Sequence, residues 1–436
     1  MARGVSIFWF RRDLRIDDNA GFFKALTSGN PVLPVFIFDT EILRELPRDD
    51  ARVNFIFQRL TRMRKALEAK HGRSLAIYYG KPAKVFKQIL SEWEVRAVFT
   101  NRDYEPYAQS RDQEVKAILD DSAIPFHTFK DQVIFEKSEV VKDDGHPYVV
   151  YTPYKRRWKA LLEEKGVPAS QPSQENLHHI VEGKGLPSVT LEELGFETSS
   201  ITVPDFDLSE ALIGNYGKTR DIPSRDGTSH LGPHLRFGTI SIRKALKAAM
   251  AAADQTFWDE LIWREFFMQI LWHFPHTVNT AFKAPYDRIQ WRNDRAEFEK
   301  WKTGKTGYAL VDAGMRQLNK TGYMHNRVRM LVASFLCKHL LIDWRWGEAY
   351  FAEKLLDFEL SSNVGNWQWA AGSGVDAAPY FRIFNPMTQV SKFDRDHTYI
   401  RTWVPEFDSE AYPGKMVDHK EARERCLRTY KAALEA

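Results

Sequence analysis

The chain has 436 residues, of which 43% are hydrophobic and 28% are charged, with a formal net charge of +4. A chain of this length is expected to fold into about two or three domains with sizeable cores. It contains no run of about 18 uncharged apolar residues, and its N-terminus does not resemble a cleavable leader. We therefore expect a soluble, cytoplasmic protein with no membrane span.

Cysteine, charge and tryptophan limit the function further. Two cysteines, Cys337 and Cys426, are too few for a disulfide framework or a metal cluster, so we predict no metal site. The mildly basic charge permits nucleic-acid binding without requiring it. Ten of the 13 tryptophans lie between Trp258 and Trp403, so the C-terminal half differs chemically from the N-terminal half.

Short apolar runs alternate with helical patterns in the first part of the chain. The runs are Val5–Phe10, Val32–Phe38, Leu75–Tyr79, Ala97–Thr100 and the surroundings of Pro125–Phe129, and the helical patterns include Arg52–Lys70 and Pro82–Trp93. Apolar strands separated by helices predict an α/β domain with a doubly wound parallel sheet over residues 1–130. No G-x-G-x-x-G follows the first run, which disfavours a standard dinucleotide loop.

The rest of the chain changes character twice. Frequent Gly and Pro over residues 131–203 predict a long connector with one helix, Pro153–Lys165. Residues 204–436 favour an all-helical domain. Its predicted helices include Ser241–Ala253, Gln255–Phe274, Arg295–Lys302, Ala309–Lys320 and Arg327–Leu341.

Four separated motifs carry a resemblance to a known family. They are Phe8–Asn19 (FWFRRDLRIDDN), Asp259–Phe266 (DELIWREF), Met324–Met330 (MHNRVRM) and Asn363–Pro386, which begins NVGNWQWAAGSGV. In this order they closely resemble the photolyase/cryptochrome family of flavoproteins, most of all the class I photolyases that repair cyclobutane pyrimidine dimers. The resemblance implies an N-terminal antenna domain, a helical FAD-binding domain and blue-light-driven repair of UV-damaged DNA by reduced FAD.

Glu260 and Trp263 are three residues apart on an apolar helix, and Arg264 lies four residues after Glu260. Spacing alone favours a surface Glu–Arg pair beside a core indole. The apolar neighbours of Glu260 would desolvate its carboxyl group and raise its pKa, which favours a protonated donor. The resemblance implies that Glu260 hydrogen-bonds the damaged bases and that Trp263 stacks on them.

Asn326 and Met330 share a helical face. On spacing alone, Asn326 would be a helix N-cap and Met330 a core residue. The resemblance instead implies that both line the substrate pocket. Asn at this position is similar to the cyclobutane-dimer photolyases, whereas (6-4) photolyases and animal cryptochromes tend to carry His and plant cryptochromes Asp.

Trp367 and Trp369 are two residues apart, so on a helix they point roughly 200° apart. One can face an interior cofactor while the other lines a cavity. Scattered indoles are usually core residues. The resemblance implies that Trp291, Trp344 and Trp367 relay electrons to the flavin and that Trp369 lines the substrate cavity.

The resemblance also implies two sets of binding residues. The FAD set is Tyr216, Thr228, Ser229, His230, Leu231, Gly232, Arg264, Arg329, Asp357, Phe358, Glu359 and Asn363, with Glu359 and Gly232 departing from the commoner Asp and Ser. The DNA set is Arg220, Glu260, Trp263, Asn326, Arg327, Trp369, Arg382 and Gln389. Hydroxyl and N–H groups that open a helix suit phosphates, and cationic rims with aromatic rings suit flipped bases.

The sequence leaves open the identity of an antenna chromophore and two alternative functions. Tyr107-Ala108 stands where folate-binding members carry Asn-Glu, which disfavours folate and leaves a deazaflavin, another flavin or no antenna. One alternative function is a cryptochrome photoreceptor that binds FAD without repair. Another is an FAD-binding interaction module that lacks photochemistry. Nothing in the sequence requires more than a monomer.

Overall fold

The computed structural model describes residues 4–377 and 379–435. They form two compact units built from interleaved segments of the chain. The first unit takes residues up to 136, 160–206 and 230–248, and the second takes 137–159, 207–229 and 249 onward. The predicted domain limits at residues 130 and 203 stay a prediction.

The first unit contains a parallel sheet of five strands in the order β3-β2-β1-β4-β5. Its strands are β1 Val5–Phe10, β2 Val32–Asp39, β3 Ala76–Gly80, β4 Val95–Asn101 and β5 Phe126–Phe129. Every residue of β1 and β2 is buried, as expected of central strands covered on both faces. The predicted doubly wound parallel sheet is confirmed.

Helices connect these strands. They are α1 Ala20–Leu26, α2 Thr40–Leu43, α3 Ala51–His71, α4 Pro82–Glu92 and α5 Pro106–Asp121. The ends of α3 follow from local chemistry. The Asp50 side chain accepts hydrogen bonds from the N–H groups of Arg52 and Val53, and Gly72 ends the helix at φ 62°.

The remaining chain is helical. The helices are α6 Tyr151–Lys165, α7 Glu210–Thr219, α8 Leu231–Arg236, α9 Ile242–Ala251, α10 Thr256–His273, α11 Arg295–Lys302, α12 Ala309–Thr321, α13 Asn326–Ser334, α14 Trp344–Lys354, α15 Leu360–Ala371, α16 Pro386–Phe393, α17 Thr398–Trp403 and α18 His419–Glu435. Short 3-10 segments occur at Ser173–His179, Pro275–Val278 and Ala284–Arg288. Within the described residues, none of these helices combines the length and apolar character that a bilayer crossing requires.

One predicted helix, Arg327–Leu341, is wrong in its second half. The α-helix α13 ends at Ser334 and continues as a π-helix over Phe335–His339. The wider turn accompanies two buried polar contacts. Lys338 Nζ donates to the Tyr380 carbonyl oxygen at 3.0 Å, and His339 Nε2 lies 2.8 Å from His419 Nδ1. Apolar periodicity cannot reveal such a local change of hydrogen-bond register.

Close helix packing in the second unit depends on two glycines. A Cβ on Gly347 of α14 would lie 2.1 Å from the indole of Trp367 on α15. A Cβ on Gly365 of α15 would lie 2.2 Å from the ring of Phe267 on α10. Real atoms cannot approach so closely, so these glycines allow α15 to pack directly against both neighbouring helices.

Candidate functional site

An ion pair joins Glu260, near the start of α10, to the C-terminal end of α7. Arg220, at the C-terminus of α7, binds Glu260 through Nη1 and Oε1, and its guanidinium lies 5.4 Å from the Tyr216 ring centre. Burial raises the pKa of the Glu260 carboxyl group, while the charge of Arg220 opposes that rise. The net shift is upward, the direction that the apolar neighbours in the sequence predict.

The helix-internal pair between Glu260 and Arg264 does not form. Glu260 binds Arg220, whereas Arg264 Nε lies 3.5 Å from Glu359 Oε2. Each side chain meets an opposite charge from a different segment of the second unit. The simplest interpretation of the i,i+4 spacing is therefore wrong.

Trp263 is half-buried and is held by an aromatic stack. The ring of Tyr151, the first residue of α6, lies 3.6 Å from the indole with an interplanar angle of 8°. The Tyr151 hydroxyl donates to the Asp259 carbonyl oxygen at 2.8 Å, which fixes the ring. One indole face is thus covered by Tyr151.

Sequence reasoning missed Tyr151 as part of the site. A signal was present, because aromatic residues recur at Tyr151, Tyr154 and Trp158 with the spacing of one helical face. Trp158 Nε1 donates to Glu265 at 2.7 Å, so this face lies directly on α10. The period alone could not show which ring would meet Trp263.

The start of α13 corrects the alternative interpretation of Asn326. The N-cap is His325, whose Nδ1 accepts from the N–H of Arg327 at 3.2 Å, so Asn326 is the first helical residue. Its amide is not used for capping. The His325 pKa is lowered to about 4, by burial first and then by the charge of Arg329.

Arg327 and Met330 lie together on α13. Arg327 Nη1 is 3.4 Å from the Met330 sulfur, and Nη2 donates to Asp221 at 2.6 Å. The guanidinium also lies 4.6 Å from the ring centre of Phe393. Met330 is half-buried and contacts a cation, which differs from a purely core role.

Several of the predicted flavin ligands in the second unit make polar contacts. Arg329 makes a bidentate pair with Asp357 at 3.1 and 2.9 Å. The Thr228 hydroxyl lies 3.0 Å from the Tyr323 hydroxyl. Asn363 Nδ2 donates to the backbone oxygen and to Oε1 of Glu348, at 3.0 and 2.8 Å.

This donor set fits a flavin dinucleotide. With its amide nitrogen bound to Glu348, Asn363 leaves Oδ1 with no donor among the described residues, so it can accept from a ring N–H. Hydroxyl and guanidinium groups suit pyrophosphate oxygens. Ser229, Phe358 and Glu359 lie in the same unit. His230, Leu231 and Gly232 belong to the first unit, where His230 precedes α8 at φ 50°.

The predicted relay indoles share one core. Trp344 and Trp367 are buried in the same cluster, and Trp291 packs against it. Trp301, which the sequence analysis did not single out, lies 6.2 Å from Trp367 between ring centres. Trp369 is half-buried, and its ring centre lies 6.5 Å from that of Phe384. The two neighbouring indoles of α15 therefore have different environments, as the helical geometry predicts.

The predicted DNA-contacting residues near the C-terminus lie at the surface. Arg382 is exposed, and Gln389 is half-buried on α16. Two large apolar side chains beside them, Phe381 and Met387, are 59% and 52% exposed. Such exposure of apolar groups next to a cation is typical of a binding surface.

Comparison with known proteins agrees with this geometry. Residues 6–174 match the model of DNA photolyase, and residues 257–410 match the model of the FAD binding domain of DNA photolyase. A deoxyribodipyrimidine photo-lyase of Halobacterium salinarum is 37% identical over 98% of this chain and 99% of its own length.

Solved structures show the same fold. A class III photolyase from Agrobacterium tumefaciens is 35% identical with a TM-score of 0.89, over 100% of this chain and 99% of its own. An archaeal photolyase from Sulfolobus tokodaii, solved with two FAD molecules, is 33% identical with a TM-score of 0.84, over 98% of this chain and 99% of its own. The match to a class III structure leaves the predicted class I assignment undecided. Sequence, fold and site together show that this chain belongs to the DNA photolyase family.

Proposed function

We propose that this chain is a deoxyribodipyrimidine photo-lyase, a carbon-carbon lyase that splits cyclobutane pyrimidine dimers in UV-damaged DNA under blue light. The observation that carries the proposal is Glu260, whose pKa is raised by burial on the same helical face as the half-buried Trp263. A carboxyl group with a raised pKa beside a stacking surface suits a flipped base whose carbonyl groups gain negative charge. Relatives that carry this name match the chain over nearly its whole length.

FAD is held mainly by residues of the second unit. When bound in its reduced form, this cofactor supplies the electron that splits the pyrimidine dimer and takes it back afterwards. Arg329, paired with Asp357, supplies a fixed cation, and Asn363 offers Oδ1 as an acceptor. Thr228 and Tyr216 supply hydroxyl groups for phosphate oxygens.

Five side chains define the substrate pocket. Glu260 and Asn326 donate hydrogen bonds to the pyrimidine carbonyls and stabilise the charge that develops there. Trp263 presents the indole face opposite Tyr151 to the bases. Trp369 and Met330 limit the pocket and exclude water, which strengthens these polar interactions.

The DNA rim combines a paired cation and an exposed one. Arg327 is held by Asp221, whereas Arg382 is exposed on the same unit as the apolar Phe381. Phosphate contacts by such residues position the strand without reading its sequence. We further propose that the protein acts as a cytoplasmic monomer. Size-exclusion chromatography of the purified protein tests the monomeric state.

A second chromophore is part of the proposal. Tyr107 occupies the position expected to contact folate, and its hydroxyl donates to Asp39 at 2.6 Å, so that hydroxyl is already engaged. A deazaflavin or a second flavin fits the proposal better than folate. Extraction of bound chromophores from the purified protein, followed by absorption spectroscopy, tests this assignment.

The decisive experiment is repair of an oligonucleotide that carries one cyclobutane thymine dimer. Purified protein with reduced FAD is incubated under blue light and in darkness, and recovered thymines are measured. We expect repair only in the light. Absence of repair with fully bound, reduced FAD would overturn the proposal and favour a cryptochrome or a (6-4) enzyme.

The tryptophan relay is tested separately. Trp367→Phe should slow photoreduction of oxidised FAD strongly, yet chemically reduced enzyme should still repair, because the relay only restores reduced cofactor. Trp403→Phe, a half-buried indole packed against the same core, is the control. Unchanged photoreduction in Trp367→Phe would remove the relay assignment.

A further inference from the structure

An open cavity in the first unit is lined by none of the flavin- or DNA-binding residues assigned above. Its volume is about 410 Å³. It is lined by the loop after β1, one face of α3, the start of α9 and Phe206 in the segment before α7. The lining includes the cationic side chains Arg15, Arg59, Arg62 and Lys244. This volume is in the range that holds drug-sized ligands.

The cavity has an excess of positive charge. Four cationic side chains line it against two acids, Asp17 and Asp18. Asp18 is already bound, since its Oδ1 pairs with Arg243 at 2.8 Å. Arg15 is also paired, with Asp131 at 2.6 Å. Asp17 is exposed at the rim.

Arg59 and Arg62 are different, because no carboxylate among the described residues pairs with either of them. Arg59 is half-buried and donates from Nε to the Leu14 carbonyl oxygen at 2.8 Å, which orients its guanidinium. Its pKa is lowered by burial first, and then by the charges of Arg62 and Arg15. The guanidinium groups of Arg62 and Arg15 are thus close enough to Arg59 to repel it, and an anion bound beside Arg59 would offset that repulsion.

The same cavity has an apolar side. Phe206 and Ile16 are half-buried there, and Met63 is buried beneath them. Phe206 is fixed by an edge contact with His234, 4.8 Å between ring centres. A half-exposed ring beside a cation cluster suits a ligand that has both an anionic group and an apolar part.

We propose that this cavity binds a small organic phosphate, with its phosphate group on Arg59 and Arg62 and its apolar part against Phe206. The planar guanidinium fork matches phosphate oxygens better than an ammonium group does. A concave site of this size favours a small molecule over a nucleic-acid strand, which would need a groove that tracks its backbone. The site is independent of the flavin chemistry proposed above.

Binding of adenosine monophosphate to the flavin-saturated protein tests the proposal by calorimetry and by the melting temperature of the protein. We expect one molecule bound per chain with no release of flavin, and a melting temperature that rises with ligand concentration. Arg62→Gln, an exposed position that folding tolerates, should weaken binding about tenfold, as should Arg59→Gln. Lys65→Gln removes the same charge from α3 outside the cavity and should change affinity less than about twofold.

Four results would overturn the proposal. They are absence of binding at millimolar adenosine monophosphate, an equal loss in Lys65→Gln, equally tight binding of inorganic phosphate, and displacement of the nucleotide by an undamaged single-stranded oligonucleotide. The third would remove the role of Phe206, and the fourth would make the surface a nucleic-acid contact instead.

Discussion

Two indoles in the second unit, Trp263 and Trp367, are held in place by different kinds of interaction. Trp263 is half-buried, stacked on Tyr151 and surrounded by ion pairs such as Arg220–Glu260. Trp367 is buried, 5.0 Å from Phe351 between ring centres, and lies against Gly347 with no space to spare. The first arrangement includes charged groups, so its stability should respond to pH and salt. The second responds only to changes of volume.

The largest predicted effect breaks the tight packing around Trp367. Gly347→Ala places a Cβ 2.1 Å from the indole, so we expect a loss of about 3 kcal/mol in the free energy of unfolding. Gly214→Ala in α7 is the matched control, because its Cβ would meet nothing within 4 Å. It should gain about 1 kcal/mol from helix propensity. Urea unfolding of both variants measures the difference, and equal stabilities would contradict the packing argument.

The second prediction concerns how the stability of the protein depends on pH through His325. His325 keeps a pKa near 4 in the folded protein, against 6.5 ordinarily. Between these values the unfolded chain binds a proton that the folded protein does not, so stability falls as pH drops through this window. The loss from this residue is on the order of 3 kcal/mol at pH 4.

Replacement of His325 by Gln isolates this contribution. Loss of the helix cap shifts stability equally at each pH, whereas loss of the titrating imidazole makes the pH dependence shallower. Unfolding midpoints measured from pH 4 to pH 7 separate the two effects. A variant whose stability follows the same pH profile as the parent would show that burial of His325 does not control it.

The third prediction sharpens the role of the stack. Tyr151→Leu removes a ring contact worth about 1 kcal/mol, so we expect roughly fivefold weaker binding of dimer-containing DNA. Tyr151→Phe keeps the stack and removes only the hydrogen bond to Asp259, so it should lie close to the parent. If the role of Tyr151 were only structural, Tyr151→Leu would lower the free energy of unfolding but would bind DNA as tightly as the parent. Binding and stability measured together distinguish these outcomes.

The smallest predicted effect concerns salt. Arg327→Gln removes one cation from the DNA rim, which should weaken binding by up to about 1 kcal/mol and lower the slope of log affinity against log salt by about one. Arg401→Gln removes an exposed cation that pairs with Asp408, outside the proposed site, and serves as the control. The same slope in both variants would remove Arg327 from the interface.

Much of the fold followed from periodicity. Continuous apolar runs identified all five strands, and Ala309–Lys320 was predicted within one residue of α12. These elements depend on burial over a repeating spacing, which the sequence shows directly. The π-helix at Phe335–His339 escaped prediction because it changes hydrogen bonding without changing the apolar pattern.

Partners of charged groups were harder to predict than their positions. The spacing of Glu260 and Arg264 suggested a pair, yet their partners are Arg220 and Glu359, 40 and 95 residues away along the chain. An ion pair forms with whichever opposite charge the packing brings near. Local spacing says nothing about that choice.

The sequence by itself determined the parallel sheet, most helix limits, the different environments of Trp367 and Trp369, and the resemblance that led to the family. Each depends on periodicity or on motifs that are local in the chain. Only the tertiary structure decided that Tyr151 covers Trp263, that His325 caps α13, and that Arg59 and Arg62 meet in a cavity without a carboxylate partner among the described residues. These contacts join segments that are distant in sequence or depend on side-chain direction, and packing sets both.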